Sequence, residues 1–124
     1  MNPVDPTRED IRAFMVGDDG EPIVMLNLLR YDGQAGHASY RDYLARAGEF
    51  VERVGGSIVY AGDCGDPLVA PESHEWDSVL LIEYPSRTAF LEMVKDPDYQ
   101  QITGLRTRGL SAAVLQPTKR LARS

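Results

Sequence analysis

With 124 residues, 43% apolar content, one cysteine and a net charge of −6, the chain has the size of one domain that can close a single hydrophobic core. Cys64 alone cannot form a disulfide within the chain, and with His37 and His74 it falls short of a four-ligand zinc site unless carboxylates help, a composition that suits a reducing cytosol. No apolar run reaches the roughly 18 residues of a membrane span, and the opening MNPVDPTRED lacks the order of a secretory signal. The basic tail (Lys119, Arg120, Arg123) follows a body of residues 1–118 with a net charge of −9, so neither nucleic acid nor a membrane is an expected partner.

Thr7, with Asp10 three residues on, can cap a first helix whose apolar stripe is Ile11, Phe14 and Met15 and which Gly17 ends. The turn DDGEP leads into IVMLNLLRY (23–31), a run too short and apolar for anything but a buried strand. DGQAGHA (32–38) reads as a turn-rich segment. Ser39 to Val54 then forms the clearest helix, with Tyr40, Tyr43, Leu44, Ala47, Phe50, Val51 and Val54 on one face and the pairs Asp42–Arg46 and Glu49–Arg53 on the other. Gly55 and Gly56 stop it.

SIVYAGDC (57–64) and WDSVLLIEY (76–84) read as strands on either side of a Pro-containing loop. Ser86 caps a short helix bearing Ala89, Phe90, Met93 and Val94. Asp96-Pro97 starts another, with its far end weakened at Gly104, and GLSAAVLQP (109–117) is the last strand. The order strand, helix, strand, strand, helix pair, strand predicts an α+β, ferredoxin-like split βαβ fold, with an antiparallel sheet in the order 4-1-3-2 and helices on one face. The expected organisation is an N-terminal helix and turn (1–22), the ferredoxin-like domain (23–117) and the tail (118–124).

Strand alternation assigns residues to the two sheet faces. On the first strand Val24, Leu26 and Leu28 suit the helix side, leaving Met25, Asn27 and Leu29 for the open side. On the third, Leu80, Ile82 and Tyr84 suit the helices, and Val79, Leu81 and Glu83 the open side. An open face this apolar needs cover, which predicts a homodimer packed sheet to sheet, with side chains or a small-molecule ligand at or beside the space between the sheets.

The run Gly55-Gly56 after an amphipathic helix, then EYPS (83–86), then DPDYQQI (96–102) followed by Arg106, resembles domain-of-unknown-function family 1330 over residues 23–117. That family is similar to the dimeric α+β barrel superfamily, which includes cofactor-free monooxygenases, muconolactone isomerases, haem-binding peroxidases and non-enzymatic binders. The resemblance implies the fold and the dimer and assigns no reaction. The connection DCGDPLVAPESHEW departs from the family pattern, so no site residue is carried over from it.

Glu83 is the candidate catalytic residue, because a carboxylate on a central strand must be paired, hydrated in a cavity or kept neutral. An ion pair, with Arg106 as a partner, and a proton-transfer role toward a ligand both stay open. Asn27 is a candidate for orienting a polar ligand group or for satisfying buried backbone. Arg30, Tyr31, His37 and Tyr40 could rim a pocket that takes an anionic or aromatic compound, against the plainer readings of turn, helix stripe and solvated histidine. Arg106 or Arg30 could offset negative charge on a ligand. Trp76, Tyr60 and Tyr99 could stack on a planar ligand or simply fill the core. No metal site is expected, although His74 lies near Glu72 and Glu75. No cofactor is expected either, since the chain has no phosphate-cradling glycine loop, nucleophile elbow or dinucleotide fingerprint. The function expected is small-molecule binding with an unassigned reaction, either cofactor-independent acid/base or oxygen chemistry, or a non-catalytic binder or assembly subunit.

Overall fold

The computed structural model describes residues 2–122, so Arg123 of the tail lies outside the described residues. The elements are α1 (Arg8–Val16), β1 (Ile23–Tyr31), α2 (Gly33–Arg53), β2 (Ser57–Asp63), β3 (Ser78–Tyr84), α3 (Arg87–Lys95), α4 (Pro97–Gly109) and β4 (Leu110–Thr118). The four strands form one sheet in the order β2-β3-β1-β4, antiparallel throughout, which is the ferredoxin-like α+β topology the element order predicts. Among the described residues no helix is long and apolar enough to cross a membrane.

Local chemistry sets the element ends. Thr7 and Asp10 form a reciprocal capping box, each backbone N–H donating to the other's side chain at 2.8 and 3.0 Å. Gly55 takes φ +82° and donates to the Glu52 carbonyl at 3.0 Å while Gly56 donates to the Val51 carbonyl at 2.8 Å, the paired bonds of a Schellman stop for α2. Ser86 caps α3 by accepting from Ala89 N–H, and Asp96 caps α4 with Pro97 in the first turn.

Two helices are longer than their sequences suggest. α2 starts at Gly33, inside the segment read as a turn, and its extra turns bring Gly36 against Gly109 where α2 crosses α4. Ser39 is mid-helix, and its hydroxyl donates across the crossing to the Leu105 carbonyl at 2.8 Å. α4 runs through Gly104 to Gly109, its inner face anchored by buried Tyr99, Ile102 and Arg106. Tertiary packing overrides the local turn and glycine signals in both cases.

The alternation on β3 is as expected, with Leu80, Ile82 and Tyr84 buried toward the helices. On β1 it is reversed. Ile23, Met25, Asn27 and Leu29 face the helices, where Met25 stands opposite Ile82 and Asn27 opposite Leu80. Val24, Leu26 and Leu28, expected on the helix side, share the open face with Glu83, Leu81 and Val79. The reason is Asn27. Its buried amide nitrogen donates to the Met25 and Leu80 carbonyls, each at 3.3 Å, so both of its N–H donors are met inside the core. The open face stays predominantly apolar, because the β1 residues that take it, Val24, Leu26 and Leu28, are all apolar.

β2 is a sheet edge with Ile58, Val59 and Tyr60 substantially exposed. A bulge leaves Val59 unpaired between Ile58 and Tyr60, and the Tyr60 ring then lies over Gly62, where a Cβ would meet its hydroxyl at 2.6 Å and its ring at 2.9 Å. At the other end of the fold α1 docks on α3. Phe14 packs edge-on to Phe90 at 5.4 Å, and the Arg87 guanidinium lies over the Phe14 ring while donating to the Phe14 carbonyl at 2.9 Å.

A candidate ligand cavity between sheet and helices

Tyr99, Ile102 and Arg106 fall on one face of α4 at helical spacing, and that face meets Tyr40 and Tyr43 of α2 above Asn27 and Tyr84 of the sheet. All of these but Ile102 line a cavity of about 250 Å³, walled otherwise by apolar side chains such as Val51, Ile82 and Leu115. Tyr43 and Tyr99 share a 2.6 Å hydroxyl–hydroxyl bond, and Tyr84 Oη donates to Met93 sulfur at 3.9 Å. The Tyr40 and Tyr43 rings lie 5.3 Å apart, and Phe50 packs edge-on to Tyr99 at 5.7 Å.

Among the described residues Arg106 is the one cation lining this cavity, and it is only 7% exposed. Its Nη1 donates to the Val4 carbonyl and to Asp5 Oδ1, the latter at 2.9 Å, and Thr107 Oγ1 donates to Asp5 Oδ2 at 2.8 Å. Its Nη2 is buried with no hydrogen-bond partner. A buried guanidinium N–H without an acceptor forfeits its hydration, so the position favours whatever supplies an oxygen. Burial pushes the Tyr40, Tyr43, Tyr84 and Tyr99 phenols upward, against the opposing pull of the Arg106 charge, so near neutral pH all four are protonated hydrogen-bond donors. Among the described residues Asp5 is the one carboxylate lining the cavity. The arrangement can hold a small, largely apolar molecule by an oxygen and offer it phenolic protons.

Of the residues singled out in the sequence, Asn27, Tyr40, Tyr99 and Arg106 come together here, on the helix side of the sheet and away from any space between two sheets. Asn27 is therefore corrected from the open face to the cavity. Glu83 does lie on the open face, but its partner is Arg120, at 3.3 Å, and not Arg106, which pairs with Asp5. Arg30 donates through Nε to Ser111 Oγ at 3.0 Å. Tyr31 and His37 stack at 4.3 Å at the far end of β1, where Tyr31 Oη donates to Ser78 Oγ and Ser78 Oγ in turn to Asp63 at 3.0 Å. Trp76 packs edge-on to His74 in the β2–β3 loop, and among the described residues no three His, Cys, Asp or Glu side chains are grouped to hold a metal ion. Sequence reading missed Tyr43, Tyr84 and Asp5 as site residues. An arginine on the apolar stripe of α4, one turn from Ile102 and two from Tyr99, was the signal that could have found the cavity.

The fold and cavity define a ferredoxin-like α+β protein with a small internal site. Residues 34–116 match the family described as Domain of unknown function (DUF1330), and the chain belongs to that family. A protein of unknown function from Rhodopseudomonas palustris is 34% identical and superposes with a TM-score of 0.92 over 99% of this chain and 100% of that one. Similar in fold alone are a hydroxynitrile lyase from Passiflora edulis (14% identity, TM-score 0.62, 80% of this chain and 93% of that one) and a dabb family protein with a ferredoxin-like fold from Mesorhizobium loti (10% identity, TM-score 0.59, 82% and 98%). No curated protein matches the chain.

Proposed function

We propose that the chain is a homodimeric small-molecule-binding protein whose ligand lies in the cavity between the sheet and helices α2 and α4, with a ligand oxygen accepting from Arg106 Nη2. The observation that carries this reading is that unpartnered nitrogen: a buried cation with a spare donor, ringed by protonated phenols and apolar walls, is a built acceptor site. The dimer is supported by the apolar open face of β1 and β3, which a second copy would cover, and by the likeness in fold to a dabb family protein. Glu83 and Arg120 then belong to the subunit interface. Turnover, in this reading, is cofactor-independent acid/base chemistry in which the phenols donate protons to the bound ligand.

The test is titration with benzoate and benzamide, following backbone and side-chain amide shifts by NMR. Binding should move the Asn27, Tyr40 and Tyr99 signals, and Ala47→Leu, which pushes a larger side chain into the cavity, should abolish the response while the protein stays folded. Shifts elsewhere in the sheet that survive in the Ala47→Leu variant would refute the placement.

A further inference from the structure

The stretch Pro3–Pro6, ahead of α1, runs between the cavity just described and a second one of about 530 Å³ under α1. Asp5 and Pro6 line both. Val4 packs against the core, and the two groups that follow it, its own carbonyl and the Asp5 carboxylate, both accept from Arg106 Nη1. The arm therefore presents a carboxylate to the guanidinium while the apolar side chain just before it is seated in the core. That is the chemistry of a small aliphatic or aromatic acid, supplied from within the chain.

Arg106 binds this internal carboxylate with only one edge of its fork, since Nη2 lacks a partner. An incoming carboxylate gains most by using both terminal nitrogens, and to do so it must take Nη1 from Asp5. Charge gives the same answer. One guanidinium compensates one carboxylate, so a second anion entering beside a retained Asp5 would be buried uncompensated, whereas exchange keeps the site neutral. The Asp5 side chain is 42% exposed, against 8% for Arg106, so the carboxylate that leaves is the one already facing water.

Resting on the cavity reading above, we infer that the ligands are monocarboxylates with an apolar tail, and that they bind by displacing Asp5 from Arg106, which frees the Pro3–Pro6 arm and joins the two cavities. The arm is a competitive internal occupant. A neutral amide of the same shape can use Nη2 alone and leave the arm in place.

Hexanoate and hexanamide separate these cases on the full chain, with affinity measured by calorimetry and arm release by amide hydrogen exchange over residues 4–11. Hexanoate should accelerate exchange in the arm, and hexanamide should not. Asp5→Asn and Thr107→Val, which loosen the arm from different sides, should each tighten hexanoate binding, on the order of three- to tenfold for Asp5→Asn, because the binding-competent fraction rises. Arg106→Met should abolish it. Hexanoate binding with arm exchange unchanged, or weaker binding in Asp5→Asn, would overturn the displacement and leave the cavity reading standing. If neither probe binds the parent or Asp5→Asn, the cavity reading falls and the displacement with it.

Discussion

Gly36 of α2 and Gly109 at the end of α4 meet backbone to backbone: a Cβ on either would lie 2.8 Å from the other's carbonyl oxygen. The contact sets how closely the two helices that roof the cavity approach, and it explains why α2 begins inside a glycine-rich segment. Asp32, just before the helix, donates its backbone N–H to the same Gly109 carbonyl at 2.9 Å.

Gly36→Ala should therefore destabilise the fold by about 1–3 kcal/mol through forced separation, although alanine is the better helix former by roughly 1 kcal/mol. Gly48→Ala, on the same helix with nothing within 4 Å of the added carbon, should instead stabilise by up to about 1 kcal/mol. Urea midpoints of the two variants should move in opposite directions. Equal shifts would show that the crossing is looser than this contact implies.

The buried phenols make the fold sensitive to alkali. Tyr40, Tyr43, Tyr84 and Tyr99 titrate above their unfolded value of about 10, chiefly through burial, so the stability they contribute is complete below pH 10 and lost as pH rises toward their folded values. Each such phenol removes about 1.4 kcal/mol per pH unit in that window. Tyr99→Phe should lower stability at pH 7 by about 1–3 kcal/mol, because Tyr43 loses its hydroxyl partner, while making the decline above pH 10 shallower. Denaturation series at pH 7, 9, 10 and 11 give both readings, and a parent profile flat to pH 11 would contradict the burial.

Leu81 stands opposite Leu26 on the open face. In sedimentation at micromolar concentration the parent should run as a dimer and Leu81→Asp as a monomer, with far-ultraviolet dichroism reporting that the variant is folded. A monomeric parent would refute sheet-to-sheet pairing.

Glu83 and Arg120 form a partly exposed pair, with side chains 32% and 65% accessible. Glu83→Gln should shift thermal stability by no more than about 1 kcal/mol, and its larger effect should be on dimer dissociation. A loss near 3–5 kcal/mol in the separated chain would mean that the carboxylate is buried after all.

Topology was legible because each element carried its own punctuation: the Thr7–Asp10 box, the Gly55-Gly56 stop, Ser86 and Asp96-Pro97. The face of β1 was not. Every residue from Ile23 to Leu29 except Asn27 is apolar, so alternation carried no information, and Asn27 was assigned outward on polarity alone. β3 was readable because Glu83 marks one parity. The cavity was half visible through Tyr40, Asn27 and Arg106. The rest was hidden because tyrosines on a helix stripe read as core, and because the Asp5–Arg106 pair joins residues 101 positions apart, which no local pattern records.

The bulge in β2 also decides where an exposed aromatic comes to rest. The Tyr60 side chain, 56% exposed, folds back over position 62 because a glycine there leaves the room. A larger residue at 62 would swing the ring aside at small cost, since only the far end of an exposed side chain has to move. The edge strand thus carries a cover whose resting place is set by a side chain missing two positions on.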